Sequence, residues 1–303
     1  SLLSKQGFID KDLFLKLQLN DESILVHING KDKKLSFNND QGIYFYNLQG
    51  NKPYLPQSLA RILINSHHYT QPGLHKSRSQ IARDINGVYY IDSKTLNNLI
   101  KLDTGSCHVC QLFDTASQSE RTGSLPRPDK PRLSWSIDLV TDLPKSENNY
   151  KILLIAVDDF SNYLVAVPLK DASSKELISA IKNNIFAPFG CPKSLRSDEQ
   201  PSIYNSNEFY EFLKKYSVTL NATAVASPFS NGRIERHIKT FKHSARKYFY
   251  QNNCINNWDE HIDIIVSSLN SSINTFNHSP EEIMFGQKIP NKLDLINIDS
   301  NQN

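Results

Sequence analysis

The chain has 303 residues, of which 39% are hydrophobic, and its formal net charge at pH 7 is +3. This length is enough for two or three domains, and the apolar content is enough for a real core. The mildly positive charge permits nucleic-acid binding but does not demonstrate it.

Cysteine usage and hydropathy narrow the class of protein. Four cysteines are too few for a disulfide framework, and Cys191 and Cys254 are expected to stay reduced, which indicates an intracellular compartment. No apolar run reaches about 18 residues and no signal peptide is found, so neither a membrane span nor a membrane partner is expected. Because the chain begins with Ser1 and its only methionine is Met284, it is interpreted as a segment cut from something longer.

Residues 1–55 are predicted to form a β-rich N-terminal extension. The runs Ser23–Ile28 and Gly42–Asn47 are interpreted as strands, separated by turn-forming dipeptides such as Asn29-Gly30. No chemistry is apparent in this segment, which favours a packing role.

Residues 56–112 are predicted to form a small helical zinc-binding domain, with helices at 56–65, 77–84 and 95–101. Six residues lie between His68 and His75, and after a gap of thirty-one residues Cys107 and Cys110 form a Cys-x-x-Cys pair. Two imidazoles and two thiolates are the ligands of a closed tetrahedral zinc site, so one structural Zn²⁺ is expected. His67 adjoins His68 and is the alternative ligand.

Residues 113–132 are predicted to be a proline-rich, basic linker. Its prolines favour extended, semi-rigid chain that can span two domains. Two interpretations stay open, since its positive charges would either lie on a phosphate backbone or face solvent without a partner.

Residues 133–290 are predicted to form an α/β catalytic core. Three apolar runs, at 133–140, 150–159 and 163–168, indicate three antiparallel strands joined by a hairpin at 160–162. Helical and strand patterns then alternate, with short strands at 195–198 and 217–222 and a long helix from about residue 233 to 250. The pattern predicts a mixed sheet with helices on both faces.

Three carboxylates stand out in this region. Asp138 lies in the first predicted strand, Asp198 ends a short strand, and Glu235 opens the long helix. Carboxylates brought together from two strands and a helix start can hold two Mg²⁺ or Mn²⁺ ions, the usual device for phosphoryl transfer on nucleic acid.

The two motifs together resemble a known family. The order His-His-Cys-Cys followed by Asp138, Asp198 and Glu235 resembles the zinc domain and D,D-x-E core of retroviral-type integrases, and most resembles long-terminal-repeat retrotransposons of the Ty3/Gypsy type. The resemblance covers roughly residues 43–290 and implies a ribonuclease-H-like core.

This resemblance implies an integrase that processes the 3′ ends of retroelement cDNA and joins them to target DNA. Asp138, Asp198 and Glu235 would be the catalytic metal ligands for two Mg²⁺ or Mn²⁺ ions. The implied assembly is a homo-oligomer, a tetramer or larger, on paired DNA ends, and a chromatin or host targeting factor is a further expected partner. The expected location is the nucleus, after a cytoplasmic stage in virus-like particles.

The long helix also carries a basic face. Lys239, Lys242 and Arg246 follow Glu235 at helical spacing, and the family's Glu-x-x-x-Lys-x-x-Lys pattern matches Glu235, Lys239 and Lys242. DNA binding by these three cations is therefore expected. The alternative is an ordinary solvated helix whose Glu–Lys pair contributes about 0.2–0.5 kcal/mol.

Two departures from the family keep other functions open. Glu199-Gln200 follows Asp198 where relatives more often show Asn-Gly or Gln-Gly, and the tail at 291–303 stands where a carboxy-terminal DNA-binding domain is usual. The main alternative is a domesticated, non-catalytic DNA-binding protein that retains the integrase fold. A nuclease of the same fold is a third hypothesis, which the zinc ligands disfavour.

Overall fold

The computed structural model describes residues 9–47, 51–70, 75–113, 128–198, 206–223, 232–274 and 278–287. Within these ranges the side chains of residues 70, 198, 222, 223 and 232–235 are not described. Most of the predicted linker, the Glu199-Gln200 pair and the tail at 291–303 lie outside the described residues. None of the described helices combines the length and apolar character needed to cross a bilayer.

The N-terminal segment combines two helices with a small antiparallel sheet of order β1-β2-β3. Its elements are α1 (Lys11–Leu19), α2 (Glu22–Asn29), β1 (Leu35–Asn38), β2 (Ile43–Asn47) and β3 (Asn51–Pro53). The strand predicted at 42–47 is confirmed as β2.

The strand predicted at Ser23–Ile28 is wrong, because these residues form α2. The Asp21 side chain caps this helix by accepting the Ser23 amide at 2.9 Å. Ile24 is fully buried and Ile28, one turn later, packs against the same cluster, whereas Val26 is 69% exposed. A β-branched run thus became a helix with one buried stripe, and the extension is mixed α/β and not β-rich.

Four helices follow, and the three that were predicted are present. They are α3 (Gln57–Asn65), which continues into a π-helical turn (Ser66–Thr70), then α4 (Arg78–Val88), α5 (Ser93–Thr104) and α6 (His108–Phe113). One apolar cluster joins these helices to the N-terminal elements, since Phe14 and Phe45 pack with Leu59, Ile85 and Leu96.

The C-terminal half contains a five-stranded sheet of order β6-β5-β4-β7-β8. The strands are β4 (Ser134–Val140), β5 (Ile152–Asp158), β6 (Leu164–Leu169), β7 (Ser194–Asp198) and β8 (Thr219–Thr223). The first three pair antiparallel, and β7 and β8 join β4 in parallel. This is the predicted mixed sheet.

Helices cover both faces of the sheet, as predicted. They are α7 (Ser174–Ile181), α8 (Asn207–Lys215), α9 (Gly232–Asn252), α10 (Ile262–Asn270) and the short α11 (Pro280–Phe285). Alternate residues of β5 face opposite layers: Leu154 packs with α7 and α8, whereas Ile155 packs with α9 and α10.

The zinc-ligand half consists of the described residues from 9 to 113, which carry the predicted zinc ligands, and the sheet half consists of those from 128 to 287. The two halves dock through specific polar contacts. From α4, Asp84 accepts the backbone amide of Ile273 at 3.0 Å, and the Gln80 side chain donates to the carbonyl of Ile273 at 2.8 Å. Phe113 of α6 packs edge-on against Tyr250 of α9, with ring centroids 5.4 Å apart. The two halves are therefore joined at the described residues by more than the linker.

Candidate metal centres and nucleic-acid interface

The four predicted zinc ligands meet at one point. The ligating atoms of His68, His75, Cys107 and Cys110 all lie within 4.8 Å of one another. The π-helical turn after α3 carries His68, Cys107 directly precedes α6, and Cys110 lies in the first turn of α6. His75 has a left-handed backbone with φ +45°, an unusual conformation for a residue other than glycine.

Hydrogen bonds orient both imidazoles toward this point. His68 Nδ1 lies 3.3 Å from the Lys76 carbonyl, to which it can only donate, so Nε2 is left as the ligating atom. His75 Nε2 faces the Gln251 side-chain oxygen, which leaves Nδ1 as the ligating atom. Fixing the tautomer through the second ring nitrogen is usual for metal-binding histidines.

These spacings fit a tetrahedral zinc ion. Metal–ligand bonds of about 2.0–2.3 Å place tetrahedral ligands roughly 3.3–3.8 Å from one another. The observed separations are 3.4 Å from His75 Nδ1 to His68 Nε2, 3.2 Å from Cys107 Sγ to His75 Nδ1, and 3.6 Å from Cys110 Sγ to His68 Nε2. All four positions are protein ligands, so the donor set is that of a structural site.

His67, the alternative ligand, points elsewhere. Its Nδ1 lies 3.4 Å from an Asp84 carboxylate oxygen, and its side chain is 2% exposed. Burial, reinforced by the Lys76 ammonium, lowers the pKa of His67 to about 4. His67 is therefore a neutral core residue beside Asp84, while His68 belongs to the ligand cluster.

Two residues of α9 complete the surroundings of the cluster. Gln251 orients His75, as described above, and Lys247 Nζ lies 3.5 Å from Cys110 Sγ. Lys247 is only 1% exposed, and an ammonium at this position offsets the negative charge of a thiolate. The helix that begins near Glu235 thus ends against the zinc ligands.

The first two predicted carboxylates lie on neighbouring parallel strands. Ile137 of β4 pairs with Ser197 of β7, so the next step of the register sets the backbone of Asp138 beside that of Asp198. Alternation places Asp138 on the same side of β4 as Val140, which packs under α9. Asp138 is half-buried and accepts the Leu139 amide at 2.8 Å.

The third carboxylate belongs to the helix that covers this same face. Glu235 lies in the first turn of α9, whose residues Ile238 and Phe241 pack on β4 and β5. The backbones of Asp138, Asp198 and Glu235 therefore belong to β4, β7 and the helix that covers the same face of the sheet. The side chains of Asp198 and Glu235 are not described.

The predicted DNA-binding cations occupy a solvent-facing side of α9. Lys239 and Arg246 are exposed, and Lys242 Nζ lies 3.0 Å from the Asp142 carboxylate. The hydrogen bond from Lys242 lowers the pKa of Asp142 below its ordinary value. One of the three cations therefore already has a carboxylate partner.

Sequence reasoning missed the residues that link the two halves. Asp84, Lys247 and Gln251 each contact a residue distant in the chain, and no local spacing pattern connects such partners.

Comparisons with known proteins agree with this architecture. Residues 128–228 match the family described as Integrase core domain. The chain is 26% identical over 79% of its length to a Pol polyprotein of feline endogenous virus ECE1, and 25% identical over 84% of its length to the Tf2-3 transposon polyprotein of Schizosaccharomyces pombe. It spans 22% and 19% of those polyproteins, respectively.

A solved structure shares the fold. A chain of the simian T-cell lymphotropic virus intasome, determined by cryo-electron microscopy in complex with PP2A regulatory subunit B56 gamma, superposes with a TM-score of 0.52 at 19% identity, covering 78% of this chain and 77% of that one. The mixed sheet and its flanking helices agree with the match of residues 128–228 to the Integrase core domain family, and the chain is similar to retroviral and retrotransposon polyproteins.

Proposed function

We propose that this chain is an integrase that joins the 3′ ends of retroelement cDNA to target DNA by two-metal phosphoryl transfer. The observation that carries the proposal is the register that sets Asp138 beside Asp198 on the face covered by α9, the helix whose first turn contains Glu235. A non-catalytic DNA-binding protein would not require three carboxylates at these three positions.

Each carboxylate has a separate role in this proposal. Asp138 and Asp198, from adjacent strands, and Glu235, from the helix start, would hold the two ions. Carboxylate oxygens are the ligands that Mg²⁺ and Mn²⁺ prefer. Two such ions, when bound, would activate the attacking oxygen and stabilise the leaving oxygen. The carboxylates act as ligands and form no covalent bond with DNA.

Regular secondary structure would carry these groups. Asp138 lies in a central strand flanked by β5 and β7, and the apolar stripe of α9, the helix that contains Glu235, packs on the sheet. Rigid elements hold reacting groups more precisely than loops, which is what in-line attack on a phosphodiester requires.

We also propose one structural zinc ion at His68, His75, Cys107 and Cys110. The fitting ligand spacings support this assignment. The four-ligand donor set leaves no position for water, so the ion would stabilise the fold and take no part in strand transfer.

The wider assembly follows from the same proposal. The DNA partners would be the two cDNA ends and a target duplex, and the resemblance to integrases implies that a homo-oligomer, a tetramer or larger, holds the paired ends. A chromatin or host targeting factor completes the partners, and the place of action is the nucleus after a cytoplasmic virus-like-particle stage.

The test is incubation of the chain with a labelled DNA end and a plasmid in Mg²⁺ or Mn²⁺. Joined product supports the integrase, nicked plasmid alone indicates a nuclease, and retarded DNA without reaction indicates the binding protein. Asp198→Asn is the matched control, since it keeps the side-chain shape and removes the charge. Joining at the wild-type rate by Asp198→Asn would overturn the assignment of the carboxylates.

A further inference from the structure

A buried carboxylate connects three strands of the five-stranded sheet. Asp159 directly follows β5 and is 2% exposed. Its Oδ2 accepts a hydrogen bond from Ser134 Oγ at 2.5 Å, and its Oδ1 accepts one from Ser136 Oγ at 2.7 Å, so both oxygens bind β4. From β7, Arg196 Nε lies 3.6 Å from the same Oδ2. We call these four residues the strand clamp.

The strand clamp lies on the same face of the sheet as Asp138. Trp135 and Leu195 pack into the apolar core on the side of α7 and α8. Because successive side chains of a strand alternate, Ser136 and Arg196, which form a register pair, face the α9 side. Asp138 follows Ser136 on this face after two residues, a distance of about 7 Å along the strand.

The clamp acts where the pairing of β4 and β7 ends. Their last register pair joins Ile137 to Ser197, one step after the pair that contains Ser136. Asp138 and Asp198 come directly after this last pair. The separation of these two residues therefore depends on how the preceding residues hold the two strands together.

Burial makes the clamp resistant to displacement. The Asp159 side chain is 3% exposed and that of Arg196 is 23% exposed. A buried carboxylate is costly unless hydrogen-bond donors and a cation compensate its lost hydration, and removing one partner of such a pair is strongly destabilising. Moving β7 away from β4 would break this compensation, so the clamp holds the two strands at a fixed spacing.

We infer that Asp159 and Arg196 are positioning residues, which set the separation between Asp138 and Asp198 and thereby the preference of the site for Mg²⁺ over Mn²⁺. The inference rests on the proposed function, because it takes Asp138 and Asp198 to be metal ligands. Mg²⁺ requires near-ideal octahedral geometry, with oxygen ligands at about 2.0–2.1 Å. Mn²⁺ is larger and has no ligand-field preference, so it tolerates irregular ligand spacing. A loosened clamp should therefore impair the use of Mg²⁺ more than the use of Mn²⁺.

The double variant Asp159→Asn, Arg196→Met removes the ion pair without leaving a lone buried charge. Its joining of a labelled DNA end to a plasmid is measured in Mg²⁺ and in Mn²⁺. We expect a loss of about tenfold in Mg²⁺ and of less than about threefold in Mn²⁺, since small misplacements of reacting groups cost up to about 100-fold. Arg196→Lys should stay within about threefold of wild type with either ion, because a single contact with Asp159 does not need the guanidinium fork.

The matched control is the same exchange at an ion pair of the zinc-ligand half. Arg61 lies 2.6 Å from Asp103, whose side chain is 5% exposed. Asp103→Asn, Arg61→Met should leave the ratio of Mg²⁺-supported to Mn²⁺-supported joining unchanged. Ser136→Ala removes one donor to Asp159 and should lower this ratio by about threefold, which provides a test if the Asp159 double variant does not fold.

Metal binding without DNA provides a second measurement on the zinc-loaded chain. Electron paramagnetic resonance measures free Mn²⁺, and added Mg²⁺ competes with it for the protein. The Asp159 double variant should need about tenfold more Mg²⁺ than wild type to displace half of the bound Mn²⁺. A purely structural ion pair predicts equal losses of joining with both ions and unchanged displacement by Mg²⁺, and that result would overturn the inference.

Failure of the clamp and failure of the proposed function give different results. If the wild type joins DNA ends and the clamp variants keep its Mg²⁺ to Mn²⁺ ratio, the clamp is refuted and the integrase stands. If the clamp variants weaken displacement by Mg²⁺ while the wild type joins no DNA, the integrase is refuted and the clamp stands.

Discussion

Gln251→Leu is expected to weaken zinc binding, although Gln251 is not a ligand. The substitution removes the oxygen that accepts the His75 Nε2 proton and leaves helix propensity nearly unchanged. Loss of such an orienting partner typically costs 10–100-fold in metal affinity. Because Gln251 is itself exposed and water can take over part of its role, we expect about tenfold, equivalent to about 1.4 kcal/mol.

Competition with a chromophoric zinc chelator measures this change. The control is Asn252→Leu, because Asn252 is the neighbouring residue and its side chain donates a hydrogen bond to the Tyr248 carbonyl of the same helix at 2.9 Å. The control should bind zinc as the wild type does. A Gln251→Leu affinity within about twofold of wild type would refute the role assigned to α9 at the zinc site.

Three further outcomes follow. Asp138→Asn should abolish strand transfer in an end-joining assay with an unchanged circular dichroism spectrum, because the amide is a poor Mg²⁺ ligand; residual joining at the wild-type rate would contradict its role. Asp142→Asn should strengthen DNA binding in an anisotropy titration, since it releases Lys242. The hydrogen bond from Lys242 lowers the pKa of Asp142, so the pair stabilises the fold above the ordinary carboxyl pKa of 3.8 and this contribution is lost as the pH falls through the folded-state pKa. Because the Asp142 side chain is 63% exposed, the free energy of urea unfolding of Asp142→Asn at pH 7 should differ from wild type by less than about 1 kcal/mol. With zinc present, the exposed Cys191 should react with iodoacetamide well before Cys254, because burial raises the pKa of the Cys254 thiol and shields it from the reagent. Mass spectrometry of the labelled peptides measures the order, and earlier labelling of Cys254 would contradict the prediction.

Periodicity predicted most of the sheet half because its elements are long and strongly patterned. All residues of β5 are buried, and in α9 the buried residues Ile238, Phe241 and Ala245 recur at helical spacing, so both elements have an unambiguous pattern. The same reasoning failed at Ser23–Ile28, where β-branched residues favour a strand locally. The cap at Asp21 and the burial of Ile24 outweighed that local preference.

The candidate sites were predictable only where their residues lie close in sequence or match a known order. Residue type and spacing were enough to select His68 and Cys107, because zinc constrains both. The contacts of Lys247 and Gln251 join residues 137 and 176 positions apart, respectively, and depend on how two halves dock. Nothing local in the sequence encodes that docking, so only the three-dimensional structure could reveal it.

The length of α9 has a mechanical consequence. Gln251 lies sixteen positions after Glu235 on one continuous helix, which at 1.5 Å per residue sets them about 24 Å apart. The apolar stripe of this helix packs on the sheet, whereas Tyr250 and Gln251 contact Phe113 and His75 of the other half. A movement of one half against the other would therefore be transmitted along the helix from one candidate metal centre to the other.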